Sequence, residues 1–180
     1  MNTQEVFEAA YDAEPALMEK TAGAVFAIER LAPDFKSEVV ADFLTISETA
    51  KNKFASKLGD LGATAGATLL GAIGGAVAGD LYDAAKRGLT KATNFRRIME
   101  ASPELRSADK SRVRSAYDML HRFGPEFTAD PTMGGALMKQ IVELPDISHK
   151  TIMEIIGARK NLMDIRKNQF NSTPMVNALT

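Results

Sequence analysis

The sequence predicts an all-α fold. Three observations predict it. Apolar residues recur every three or four positions along most of the chain, no run alternates with period two into hairpin chemistry, and prolines fall between the periodic stretches. The chain also changes character along its length. Residues 1–100 read as long helices around a glycine-rich centre, 101–170 as a small helical bundle of short, crisply capped helices, and 171–180 as a polar, mixed tail.

The first helix spans about 2–13, with Asn2 as its cap and Glu5 three residues on. Glu14-Pro15 interrupts it, and Pro15 suits the first turn of a second helix over 15–32, whose stripe is Leu17, Thr21, Ala24, Val25, Ile28, Leu31 and Ala32. Pro33-Asp34 ends that helix. A third begins near Asp34 or Ser37, with Phe35, Val39, Phe43, Ile46, Ala50, Phe54 and Leu58 on one face. Lys36, Glu38, Asp42, Glu48, Lys51, Lys53 and Lys57 occupy the other, so the helix is amphipathic. No proline separates it from the glycine stretch, which allows one rod over about 35–79 with Gly59 as its joint. From Asp80 a further helix is marked by Leu81, Ala84, Ala85, Gly88, Leu89, Ala92, Phe95, Ile98 and Met99, and Ser102-Pro103 stops it.

In the second half, Asp109 caps a helix over 110–123, which Gly124-Pro125 terminates. Asp130-Pro131 opens another, to about Leu144, and Pro145 breaks it. Ser148 caps a last helix over about 149–170. Met99, Met119, Met133, Met138, Met153 and Met163 fall on apolar faces and are expected in the core.

The stretch between Asp60 and Asp80, LGATAGATLLGAIGGAVAG, holds no charge and no proline. Gly62/Gly66, Gly71/Gly75 and Gly75/Gly79 are GxxxG pairs. A glycine inside a helix costs about 1 kcal/mol relative to alanine, so this density needs a reason. Small residues four apart let two helix backbones approach closely, in a bilayer or in a protein assembly. Gly62, Gly66, Gly71, Gly75 and Gly79 are therefore the expected helix-packing residues. A helix over 61–79 reaches about 28 Å, just enough for a hydrocarbon core of about 30 Å. If it enters a membrane, Leu69, Leu70, Ile73 and Val77 face lipid. Lys86, Arg87 and Lys91 beyond it then sit at headgroups. Otherwise the glycine face packs protein on protein and never meets lipid.

Composition narrows the chemistry. A net charge of −1 gives no electrostatic case for nucleic-acid binding by the chain as a whole. With no cysteine, disulfides, thiolate metal sites and cysteine nucleophiles are excluded. His121 and His149 are the two imidazoles and lie far apart in sequence, which makes a zinc site improbable. Asp80 and Asp83 are one turn apart but too few to hold a cation. No G-x-S-x-G, P-loop or H-E-x-x-H occurs, and Gly71-Ala72-Ile73-Gly74-Gly75 lacks the Lys-Ser/Thr of a nucleotide loop. No cofactor, metal or catalytic residue is expected. The acidic start of the N-terminus lacks the basic and apolar regions of a signal peptide.

The segment Asn94–Ile141 resembles small virion proteins of tailed bacteriophages. The resemblance rests on an arginine-bearing helix followed by Pro103, Leu105, Asp109, the Leu120/Arg122/Phe123/Pro125 turn, Asp130-Pro131, Gly134 and Gly135, with a glycine-rich apolar segment upstream. It implies a structural or genome-ejection role in a virion and names no catalytic residues. The expectation is a non-enzymatic, homo-oligomeric virion protein inside the capsid, at the portal or in the tail, in contact with other virion proteins. In it the 61–79 helix enters the host membrane during infection. The alternative is a purely structural sleeve or adaptor.

Overall fold

A computed structural model describes residues 1–61, 66–145 and 148–172. The fold is all-α. The helices are α1 (Thr3–Ala13), α2 (Pro15–Leu31), α3 (Lys36–Leu61), α4 (Gly66–Ala101), α5 (Lys110–Phe123), α6 (Pro125–Ala129), α7 (Pro131–Val142) and α8 (His149–Ser172). Short 3₁₀ turns at Pro33–Phe35 and Pro103–Ser107 follow α2 and α4. The chain divides into two compact units, Met1–Arg96 and Arg97–Thr180, with the boundary inside α4.

In the first unit, α1 starts in a capping box. Asn2 Oδ1 accepts from the Glu5 N–H at 3.0 Å, and Glu5 Oε2 accepts from the Asn2 N–H at 2.7 Å. The single rod over 35–79 that the absence of proline allows is not formed. The helix continues through Gly59 to Leu61, and α3 and α4 run antiparallel. Val39 touches Gly88, and Glu38 Oε2 accepts from Lys91 Nζ at 2.7 Å, while Ala50 clusters with Val77 nearer the joining end. The residues that join them, 62–65, lie outside the described ones. Nor does a new helix begin at Asp80, because nothing there breaks the backbone. One 36-residue helix, about 54 Å long, runs from Gly66 to Ala101.

The inward stripe of α4 explains its dominance. Gly74, Val77, Ala78, Leu81, Ala84, Ala85, Gly88 and Ala92 are all buried, at spacings of three and four. Most are small, and this lets the neighbours come close. A Cβ built at Gly74 would lie 2.2 Å from the Ala9 carbonyl oxygen and 3.2 Å from Ala13 Cβ. At Gly88 it would lie 2.3 Å from Val39 Cγ2 and 3.2 Å from Ile28 Cδ1. Thus α1, α2 and α3 all seat against α4 where it carries no side chain. Val6, Ala10, Ala50, Val77, Ala78 and Leu81 form the buried core there, with Phe7, Phe43, Ile46 and Ile73 packed around it. Further along, Phe35 and Phe95 meet at 5.4 Å between ring centroids, and Lys91 Nζ lies 5.1 Å from the Phe35 centroid.

The second unit follows its caps. Asp109 accepts from the Arg112 N–H at 3.0 Å, Asp130 from the Thr132 and Met133 N–H groups at 2.9 and 3.1 Å, and Ser148 from the Thr151 N–H at 3.2 Å. Gly124-Pro125 does more than stop α5. Pro125 also starts the five-residue α6, which buries Phe127 and Thr128. Ile98, Leu105, Val113, Tyr117, Leu120, Phe127, Leu137, Met138, Ile141, Ile152 and Ile156 form the core. Gly134 and Gly135 are buried and leave no room for a side chain: a Cβ would lie 2.7 and 2.8 Å from Ile98 Cδ1 and the Phe127 carbonyl at Gly134, and 1.9 Å from Ser102 Oγ at Gly135. Met138 is core, as expected. Met153 and Met163 are not, being 41% and 43% exposed. Only the first turns of α8 are covered, and from Ala158 to Asn168 it is exposed all round.

Two carboxyls in this unit are held below the usual range. Hydrogen bonds from the Ser111 hydroxyl and the Arg112 N–H do this to Asp109, and the Lys160 ammonium, 2.9 Å away, does it to Glu126.

Two predictions follow from these contacts. Gly74→Ala is expected to destabilise the protein by about 1–3 kcal/mol in urea unfolding, since the atoms it strikes are backbone. Gly71→Ala, with nothing within 4 Å of its added carbon, is expected to stabilise the isolated chain by up to about 1 kcal/mol. Equal effects would contradict the packing described. On acidification, the depressed carboxyls stabilise fully above their unfolded pKa near 4, and that stabilisation is lost as pH falls through their lower folded values. Urea midpoints should therefore decline below about pH 4. Asp109→Asn, which keeps an acceptor at the cap, should flatten part of the decline; an unchanged pH profile would count against the assignment.

Candidate self-association face on the glycine-rich helix

The expected helix-packing glycines do not sit where α4 meets its own chain. Gly62 lies outside the described residues, and only the backbone of Gly66, the first residue of α4, is described. Gly71, Gly75 and Gly79 recur at four-residue spacing on the outer face, and a Cβ at any of them would meet nothing within 4 Å. Ala72 and Ala76 beside them are exposed. The glycines that bring helices together inside the chain are Gly74 and Gly88. The GxxxG positions are thus distinct from the face that packs within the chain. The heptad recurrence of Gly74, Leu81, Gly88 and Phe95 marks that face.

The expected lipid-facing residues are likewise redistributed. Leu69 and Val77 are buried, 8% and 4% exposed, and Ile73 packs against the core cluster. Leu70 is half-exposed. The set does not form an outward apolar face in this conformation, because Ile73 and Val77 pack in the core that α4 shares with α1 and α3. Among the described residues, no helix is long and apolar enough to cross a membrane. Of the basic residues beyond, Lys86 and Arg87 are exposed, whereas Lys91 is half-buried and paired with Glu38.

The outer ribbon lies between two grooves. One, of about 300 Å³, runs between α3 and α4. Thr45, Thr49, Ala72 and Ala76 line it, with Lys53 and Lys57. The other, of about 560 Å³, has Gly71 and Leu70 as its α4 wall and the α1 carboxylates Glu5, Glu8 and Asp12 opposite. Ala72 and Ala76 thus border the basic groove and Gly71 the acidic one, so the ribbon separates flanks of opposite charge.

The remaining candidate groups are structural. His121 Nδ1 is 3.4 Å from Thr128 Oγ1, and its ring stacks on the buried Tyr117 at 5.9 Å. Thr128 in turn donates to the Pro125 carbonyl at 2.8 Å, so His121 helps hold α6 on α5. His149 lies 4.5 Å from the Phe123 ring, centroid to centroid. Asp80 and Asp83 are exposed, and no group of three potential metal ligands occurs among the described residues.

Comparison with protein families, with curated proteins and with solved structures finds no match.

Because Val77 points into the core, Val77→Ala should lower stability in aqueous buffer by about 2 kcal/mol in chemical unfolding. No change would mean that this side chain faces outward after all.

Proposed function

We propose that this chain is a non-enzymatic structural protein of a tailed-phage virion. In this reading, copies assemble at the portal or tail with other virion proteins by packing their glycine-rich helices on one another. One observation carries the assembly part: Gly71 is exposed, Gly75 and Gly79 are half-exposed, and a Cβ at any of them would meet nothing within 4 Å, along a helix whose other side is filled by its own chain. Each such glycine weakens an exposed helix by about 1 kcal/mol, and none of the described residues packs on it to offset this. A neighbouring backbone seated on the ribbon would, since bare positions four apart permit approach closer than the usual 8–10 Å between helix axes. The virion setting rests on the resemblance over Asn94–Ile141.

The protein-on-protein version is better supported than insertion of 61–79 into the host membrane. Insertion would require Leu69 and Val77 to leave the core, and would strip α1 and α3 of the surface they share with α4.

Gly75→Leu tests the reading, because a Cβ at this position meets nothing within 4 Å among the described residues. The expected result is a folded protein, unchanged in circular dichroism, that no longer forms the oligomer seen for wild type in chemical cross-linking and size-exclusion chromatography. Intact assembly together with lost leakage of anionic vesicles would favour the membrane version instead.

A further inference from the structure

The two grooves beside the ribbon differ in charge, and this difference bears on how copies meet. The flank on the α3 side presents Lys53 and Lys57, with Asp80 as the single carboxylate among its described lining residues. The flank on the α1 side presents Glu5, Glu8 and Asp12. Lys53, Lys57, Glu8 and Asp12 are all exposed. Glu5 is engaged by the Asn2 N–H at 2.7 Å and the terminal amine at 3.5 Å, and Glu8 accepts from Gln4 Nε2 at 2.7 Å.

Consider two α4 ribbons laid face to face. If the helices are antiparallel, the dyad crosses them, and each flank meets its own counterpart: lysines oppose lysines and carboxylates oppose carboxylates. If they are parallel, the symmetry axis runs along the helices, and the basic flank of each copy meets the acidic flank of the next. The same holds for a dimer or for a larger closed ring around that axis. Like charges brought together on partly desolvated surface repel, and opposite ones attract. From this charge complementarity we infer that the occupant of the ribbon is a second copy of this chain with its α4 parallel. Lys53 and Lys57 of one protomer then lie opposite Glu8 and Asp12 of its partner. The inference rests on the reading that α4 packs on α4, and adds its direction and the residues that set it.

The chain has no cysteine, so a single introduced thiol reports orientation cleanly. Thr68 is exposed, one heptad before Gly75 on the same face, and Tyr82 lies one heptad after it. In a parallel array, Thr68→Cys meets its own equivalent, and mild oxidation is expected to give a disulfide-linked dimer. In an antiparallel pair it meets Tyr82→Cys instead; linkage only in a mixture of the two variants would overturn the inference. As a second measurement, K53E/K57E and E8K/D12K, each alone, are expected to weaken self-association about tenfold in sedimentation velocity at low salt. Combining all four substitutions in one chain should restore it, because the flanks are exchanged but remain opposite. Association of wild type that strengthens with added salt, or that neither charge variant changes, would refute parallel pairing. If Gly75→Leu still abolished assembly, the ribbon reading would stand without it. A wild-type chain that stays monomeric at every concentration would remove the ribbon reading itself.

Discussion

Contact between the α4 backbone and the main chain of Ala9 is the constraint on which the first unit depends. Where Gly74 stands, even a methyl group would overlap a carbonyl oxygen, and a carbonyl held in a helical hydrogen bond cannot step aside. At Gly88, fourteen residues further on, the space is taken instead by side-chain methyls of Val39 and Ile28. Between these points the alanines keep the seam shallow. The first unit is therefore built around one long helix whose inner face is mostly surface for others to lie on. Leu81 and Val77 supply the bulk that α1 and α3 bury.

That arrangement changes the meaning of the glycine-rich stretch. Its composition allows lipid or protein as the medium around it, and the burial of Leu69 and Val77 favours protein. The apolar side chains are spent on the chain's own core, and the side-chain-poor positions are left outside. A helix built this way presents a neighbour with main chain rather than with grease. Such a surface rewards close, register-specific packing and offers little to a bilayer, where a small-residue face without flanking leucines gains little from the hydrocarbon. In the proposed assembly, the flanking charges would select which orientation of a neighbour is tolerated.

Much of the fold was legible in the sequence, and the reasons are local. Asn2/Glu5, Asp109, Asp130-Pro131 and Ser148 each specify a helix start through hydrogen bonds to residues two or three positions on, so their boundaries could be read directly. What could not be read was set by contacts distant in sequence. Gly59 looked like a joint because glycine weakens a helix, yet α3 continues through it to Leu61. Asp80 looked like a boundary because hydropathy changes there, but a change of polarity does not break a backbone. The face that packs inside the chain carried no such signal: GxxxG spacing occurs on the other face, whereas the inner face mixes Gly74 and Gly88 with alanines and a leucine. Exposure of Met153 and Met163 on α8 was likewise invisible, since periodicity shows that a face is apolar and not whether anything covers it. Pro125 was read as a stop, although proline at a first helical position also starts a helix, here α6.

The central claim is that α4 serves its own chain with one side and another copy with the opposite side. An experimentally determined structure of the self-associated protein tests it most directly, through the distance between α4 axes of adjacent protomers at Gly75. The account predicts main-chain contact there, with the axes closer than about 8 Å, and Gly74 still seated on Ala9 in each protomer. A ribbon left facing solvent in the assembly, or an α4 detached from α1 and α3, would contradict it.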